Sequence, residues 1–168
     1  MDSKGMNTEA RQEQFETLLA SHIGIVFRVV RTYARTAEDQ QDLVQEVKLQ
    51  LWKAFPRYDD NRSFSTWMYR VALNAAISWN RKVPPVIVSL SQESLEIESR
   101  AKSFDPNAHV LNQLIDSLDP FNRALLLLYL DDLSSAEIGE VLGLSSANVA
   151  TKISRLKQSL REQANTHQ

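Results

Sequence analysis

Phe15, Leu18, Leu19, His22, Ile23, Val26, Phe27, Val30 and Tyr33 recur at helical spacing. They predict a first amphipathic helix, preceded by a polar, frayed stretch over residues 1–12. A second helix is expected from about Ala37 to Phe55, with Thr36 and Asp39 as a weak capping pair and Pro56 as its stop. Pro56 to Asn61 reads as a loop, and a third helix should run from about Ser65 to Lys82. These three helices would build an N-terminal domain over residues 13–82.

The pattern then breaks. Pro84-Pro85 forbids a continuing helix, and the Ser/Glu-rich stretch after it makes residues 83–104 a linker, with Val86-Ile87-Val88 as a candidate short strand. From residue 105 to 168 the chain reads as short, well-punctuated helices. Asp105-Pro106 and Asp119-Pro120 each look like an N-cap followed by proline at the first helical position. Ser134 and Glu137 have capping-box spacing, Gly143 closes a short helix, and Ser145 can cap the last one. The expected fold is all-α: two small helical domains joined by a linker, the C-terminal one a helix-turn-helix.

Composition narrows the function. Hydrophobic residues make up 43% of the 168, so a packed core is affordable, and 4 Gly with 5 Pro favour helices over a turn-rich β fold. The absence of cysteine excludes disulfides, zinc fingers and thiol catalysis, and fits a reducing, cytoplasmic setting. The N-terminus carries no apolar stretch of signal-peptide type, and the longest apolar run, Ala124 to Leu130, is too short to cross a bilayer, so no membrane insertion is expected. Net charge is −2, which speaks against a nucleic-acid binder on average. The distribution speaks for one. Asn61 to Lys82 carries Arg62, Arg70, Arg81 and Lys82 without an acid, and Leu144 to Arg161 carries Lys152, Arg155, Lys157 and Arg161 without an acid. Two basic islands in an acidic chain suggest two polyanion contacts.

Three constellations carry chemistry. In the last helix Val149, Ile153, Leu156 and Leu160 form an apolar stripe, while Asn148, Lys152, Arg155 and Ser159 form a polar one about 100° away. Ile138, Leu142 and Leu144 sit at core positions of a helix-turn-helix, Gly139 is small where its helices approach, and Gly143 supplies the turn. Such a helix can offer amide, hydroxyl and cationic groups to base edges and phosphates. In the third helix Trp67, Arg70, Asn74, Ile77 and Arg81 fall within about 80° of arc, flanked by Phe64 and Tyr69. Rings among cations suit unstacked single-stranded bases, although Trp67 read alone equally well fills a core. In the second helix Asp39, Asp42 and Glu46 line one side, with Leu43, Val47 and Leu51 beside them. That is either a solvated face next to a core stripe or a protein-docking ridge with partly exposed apolar residues. No P-loop, nucleophile elbow or His-Glu-x-x-His is present, and His22, His109 and His167 show no ligand pattern, so neither catalysis nor a metal or other cofactor is expected.

Asp42-Leu43-Val44-Gln45-Glu46-Val47, followed by Leu51-Trp52, resembles the core-binding helix of sigma region two. Phe64 to Asn74 resembles the melting and minus-ten segment that follows it. Leu118 to Arg123 and Glu137 to Ser145 resemble sigma region four. With a short linker and no middle domain, the order of these motifs resembles the extracytoplasmic-function class of sigma-70 family sigma factors. The resemblance implies a factor that directs promoter recognition, melting and transcription initiation. Asp39, Asp42, Gln45 and Glu46 would meet the beta-prime coiled coil of RNA polymerase core, whose beta flap is a further expected partner. Arg62, Phe64, Trp67, Tyr69, Arg70, Asn74 and Arg81 would meet the melted non-template strand at the minus-ten element, with the loop Pro56 to Arg62 helping to capture a flipped base. Ser145, Asn148, Thr151, Lys152 and Arg155 would read duplex DNA at the minus-thirty-five element. It also implies an anti-sigma factor that clamps the two domains, and a linker that threads a polymerase channel. The chain departs from the family at Ser78, where an acid is frequent, at Asp119, where an apolar residue is usual, and in the recognition helix, which reads Ala147-Asn148-Val149-Ala150-Thr151-Lys152. The alternative is a helix-turn-helix regulator that binds duplex DNA without polymerase.

Overall fold

The structure is a computed structural model and describes residues 7–82 and 106–166. The chain divides into two compact units, Met1–Pro85 and Val86–Gln168. Eight α-helices and one 3-10 turn make up the regular structure among the described residues. The expected linker over 83–104, the candidate strand at 86–88 and the Asp105 cap lie outside them.

The first unit contains α1 (Thr8–Ser21), α2 (Ile23–Tyr33), α3 (Ala37–Ala54), a 3-10 turn (Phe55–Arg57) and α4 (Phe64–Lys82). The single first helix expected from the apolar spacing is in fact two. His22 Nδ1 lies 2.8 Å from the Leu18 carbonyl, the acceptor its own N–H would use in an unbroken helix. The N–H turns instead to the Leu19 carbonyl at 3.1 Å, and the helix stops. The expected frayed stretch is also shorter: α1 begins at Thr8, and the Arg11 guanidinium reaches the Pro56 carbonyl at 3.4 Å. At the end of α3, proline has no N–H to continue the α ladder, so the chain tightens through the 3-10 turn rather than stopping at Phe55.

Val26, Val29, Leu43, Val47, Leu51, Met68 and Ala72 form the fully buried centre of this unit. α4 packs on both α2 and α3, and Arg70, Asn74 and Arg81 stay exposed on its outer face. Thr36 caps α3 by accepting from the Asp39 N–H at 3.1 Å.

The second unit contains α5 (Pro106–Ser117), α6 (Pro120–Leu130), α7 (Ser135–Leu142) and α8 (Ser146–Thr166) around Leu114, Leu125, Leu128, Ile138, Val149 and Leu156. Its punctuation follows the sequence. Asp119 caps α6 by accepting from the Asn122 N–H at 2.9 Å, with Pro120 in the first turn. Ser134 and Glu137 form a complete capping box at 3.2 and 2.7 Å. Gly143 ends α7 in the left-handed region at φ 72°, which an L side chain rarely adopts. Ser145 then accepts from the Asn148 N–H at 3.2 Å to start α8. Arg123 ties α5 to α6, donating to the Leu118 and Asp116 carbonyls at 3.1 Å each.

Candidate nucleic-acid interfaces and docking face

Leu43, Val47 and Leu51 are fully buried, which corrects the expected docking ridge with those residues partly exposed. They are core, placed inward by their period on α3. The outward face carries Asp42 and Gln45 exposed, with Asp39 and Glu46 half-buried at its side. Glu46 accepts from the Gln50 side chain at 2.8 Å, which holds its carboxylate in place. Two apolar residues that the sequence reading did not assign to this face belong to it: Leu49, 45% exposed, and Trp52, 38% exposed. Leu49 lies one turn beyond Gln45, within about 20° of Asp42 around the helix. Carboxylates and an amide around an exposed leucine and tryptophan make a face suited to another protein.

Glu46 and Gln50 also border a cleft of about 550 Å³ between α3 and α4, whose far wall includes Asn74, Ser78 and Lys82. Ser78, where the resemblance leads to the expectation of an acid, lines the same cleft as Glu46.

On α4, Arg70, Asn74 and Arg81 are exposed in one row, and Ile77 is half-buried beside them. Phe64 and Tyr69 are buried. Phe64 belongs to an aromatic cluster, and Tyr69 accepts a hydrogen bond from Arg28 at 3.2 Å, so neither ring presents a free face to a base. Trp67 is half-buried within the same cluster, its centroid 5.1 Å from Tyr58, 5.3 Å from Phe64 and 6.2 Å from Phe55. Trp67 thus packs against this cluster while part of its surface stays exposed.

The loop leading into α4 is built, not slack. Tyr58 donates to the Arg62 carbonyl at 2.8 Å, and the Asp59 carboxylate accepts from the Asn61 N–H at 3.0 Å. Burial, with Asp60 and Asp59 nearby, pushes the Tyr58 phenol above its ordinary value of 10.0, so that donor stays protonated at neutral pH. Arg62 is exposed at the end of this turn.

On α8, Val149, Ile153 and Leu156 are buried and Leu160 half-buried, as the apolar stripe requires. The polar stripe divides. Asn148 and Arg155 are exposed, whereas Ser159 is half-buried and Lys152 is half-buried with its ammonium 5.7 Å from the Phe121 ring centroid. The outermost residues are Ala147, Thr151, Ser154 and Gln158, diametrically opposite the core. Thr151 donates its hydroxyl to the Ala147 carbonyl at 3.1 Å, leaving the oxygen as an acceptor toward a ligand. Thr151, Ser154 and Arg155 thus form the centre and one flank of the presented face, and Ser145 serves chiefly as a cap. Ser154 was missed because it lies outside the cation-bearing stripe.

Among the described residues no group of His, Asp or Glu is arranged to hold a metal ion, and no helix is long and apolar enough to cross a membrane.

The family description "Sigma-70 region 2" matches residues 18–83, and "Sigma-70, region 4" matches residues 109–160. The chain is 24% identical to the ECF RNA polymerase sigma factor SigW of Bacillus subtilis, over 90% of this chain and 89% of that protein. It is 26% identical to the RNA polymerase sigma factor CarQ of Myxococcus xanthus, over 92% of this chain and 91% of that one. In fold it is similar to CnrH, solved with the cytosolic domain of CnrY, at a TM-score of 0.67 and 22% identity over 94% of this chain and 91% of that one. It is equally similar to the sigma factor RpoE of Bartonella quintana, solved with the anti-sigma factor NepR, at a TM-score of 0.67 and 15% identity over 93% and 99%.

Proposed function

The chain belongs to the sigma-70 family, in its extracytoplasmic-function class, and from that premise we propose how its faces divide the work of an RNA polymerase sigma factor. The family binds polymerase core and promoter DNA. The outward face of α3, with Asp42, Gln45, Glu46 and Leu49, docks on the beta-prime coiled coil of core. The α4 row of Arg70, Asn74 and Arg81, with the open side of Trp67 and the turn at Arg62, takes the melted minus-ten strand. The α8 face of Asn148, Thr151, Ser154 and Arg155 reads the minus-thirty-five duplex. An anti-sigma factor that covers these faces holds the protein off DNA. The chain works in the cytoplasm and contributes no catalysis of its own; bond formation stays with the polymerase.

The observation that carries this reading is the exposed, acid-free row on α4 beside a half-open tryptophan. Cations track a strand backbone and a ring stacks on a base only after the duplex has opened. A regulator that reads closed duplex has no use for that arrangement, and the two region matches in order along one chain do not favour it either.

Charge reversal on α3 tests the assignment. Asp42→Lys with Glu46→Lys is expected to weaken core binding on the order of tenfold or more, as loss of close charge pairs does, while far-UV helicity stays unchanged. Gel shifts of promoter DNA by the protein alone and with core, together with run-off transcription, read the outcome. Core affinity equal to wild type would remove α3 from the dock. Full promoter binding without core would restore the polymerase-independent reading.

Within α8 the burial difference predicts unequal effects. Arg155→Ala is expected to cost about 1–3 kcal/mol of duplex affinity with relaxed preference at one position, as for a base contact. Lys152→Met should cost less and similarly on all sequences, with a shallower salt slope, because its ammonium is drawn back over Phe121. Equal, sequence-dependent losses in binding titrations would return Lys152 to the reading face.

A further inference from the structure

His22 ends α1, and its ring also reaches the aromatic cluster at the start of α4. The imidazole is half-buried, with Nδ1 2.8 Å from the Leu18 carbonyl. A carbonyl oxygen only accepts, so Nδ1 carries the proton and one edge of the ring is pinned to α1. The ring centroid lies 5.0 Å from that of Phe64, with the planes tilted by 56°. Phe64 is the first residue of α4, is buried, and meets Tyr58 and Trp67 at 5.3 Å each. It is the ring through which His22 bears on both.

The cluster is backed from two points. Phe55 lies 6.0 Å from Tyr58 and 6.2 Å from Trp67, and rests on Phe15 at 5.1 Å. Phe64 rests on His22. Phe15 and His22 are seven residues apart, which is two helical turns or about 10 Å along the axis, so one side of the α1 end supplies both supports. The rings they support reach the site itself. Tyr58 holds the Arg62 carbonyl at 2.8 Å, and Trp67 stays partly exposed one turn before exposed Arg70. A half-exposed ring free to tilt has to be ordered by its ligand, which costs affinity. A backing ring fixed by a hydrogen bond removes part of that cost before the ligand arrives.

We propose that His22 is a positioning residue for the strand-binding site: pinned on the Leu18 carbonyl, it holds Phe64, and Phe64 sets the pose of Trp67 and of the turn from Tyr58 to Arg62. His22 itself touches no nucleotide. The inference rests on the assignment of Trp67 to melted DNA. It separates two jobs of one side chain, since the hydrogen bond ends α1 and the ring acts on the cluster.

The test uses the full chain, alone and bound to core, with fluorescent oligothymidylate as the probe. His22→Asn keeps an N–H donor for the Leu18 carbonyl and removes the ring. It is expected to weaken probe binding roughly two- to tenfold, the range of one aromatic pair, with core affinity unchanged. His22→Phe gives up the donor but returns a ring to Phe64, and should recover part of that loss. In the double variant with Trp67→Phe the two losses should be less than additive, because His22 acts through the indole. Circular dichroism with thermal melts establishes that each variant is folded; should His22→Asn fail there, the same cycle is run with His22→Phe. If Trp67→Phe weakens the probe and both His22 variants bind as wild type, the positioning role is refuted while the Trp67 assignment stands. If Trp67→Phe leaves the probe unchanged, the Trp67 assignment fails first and takes the inference with it. Additive losses, equal losses in the Asn and Phe variants, or a matching loss of core affinity would reduce His22 to a packing residue and overturn the proposal.

Discussion

Trp67→Ala is expected to abolish promoter opening and at the same time to lower the stability of the first unit by about 3 kcal/mol. The stability loss comes from the packed side of the ring. Trp67 contacts Tyr58, Phe64 and Phe55 at aromatic distances, and Phe55 in turn meets Phe15 at 5.1 Å, so the indole closes a cluster joining α1, the 3-10 turn and α4. Half-burial puts the cost at the lower end of the range for aromatic-to-alanine changes. Through Tyr58 the cluster also shapes the turn that ends at Arg62. A loss of opening in this variant alone would therefore not identify a stacking role. Trp67→Phe separates the two effects, because a smaller ring keeps most of the cluster while offering less area to a base. Urea denaturation should show stability largely restored. Permanganate footprinting should still show reduced opening at a promoter and reduced reactivity on a premelted bubble. If Trp67→Phe restores both stability and opening, the residue acts only in packing.

Elements whose signals are local were legible from sequence. Asp119 with Pro120, Ser134 with Glu137, Gly143 and Ser145 each act within a few residues, and each takes the expected place. The break at His22 was not legible. The apolar period runs through it without a change of phase, and the interruption arises from an imidazole competing for a backbone carbonyl. Periodicity also gives an arc without saying which part of it the neighbouring helices cover. On α4 the buried side extends to Tyr69 and Phe64 because α2 and the aromatic cluster lie against them. On α8 the stripe was chosen for its cations, although it lies only about 100° from the apolar stripe, on the flank where Phe121 receives Lys152. Of the residues farthest from the core, Ala147, Ser154 and Gln158 carry no charge that would mark them in the sequence. The acidic side of α3 was legible, but its exposed Leu49 was not. A single leucine between two polar turns looks the same in sequence whether it packs or faces solvent.

Gly139→Ala is expected to cost the second unit about 3 kcal/mol and to remove duplex binding altogether. Gly139 is buried in α7, and a Cβ built on it would overlap the Leu144 carbonyl oxygen, well inside contact distance. The atom it meets is backbone, so no side chain can rotate away. The same Leu144 donates its N–H to the Gly139 carbonyl at 2.9 Å, which fixes the chain against α7 at the point where it turns into α8. Adding one methyl must push the turn outward and change the angle at which Thr151, Ser154 and Arg155 are presented. A helical unit of this size buries too little surface to absorb such a loss with much margin. Gly143→Ala is the informative contrast. Its Cβ would meet nothing within 4 Å, so only the left-handed conformation at φ 72° is penalised, at about 1–2 kcal/mol. Thermal melts should rank Gly139→Ala well below Gly143→Ala and wild type. The proposed binding to core through α3 and to single-stranded DNA through α4 should persist in both variants, since both glycines belong to the second unit. A Gly139→Ala protein that melts with wild type and still binds duplex would mean that the Leu144 backbone yields freely, and that the close approach of turn and helix does not set the pose of α8.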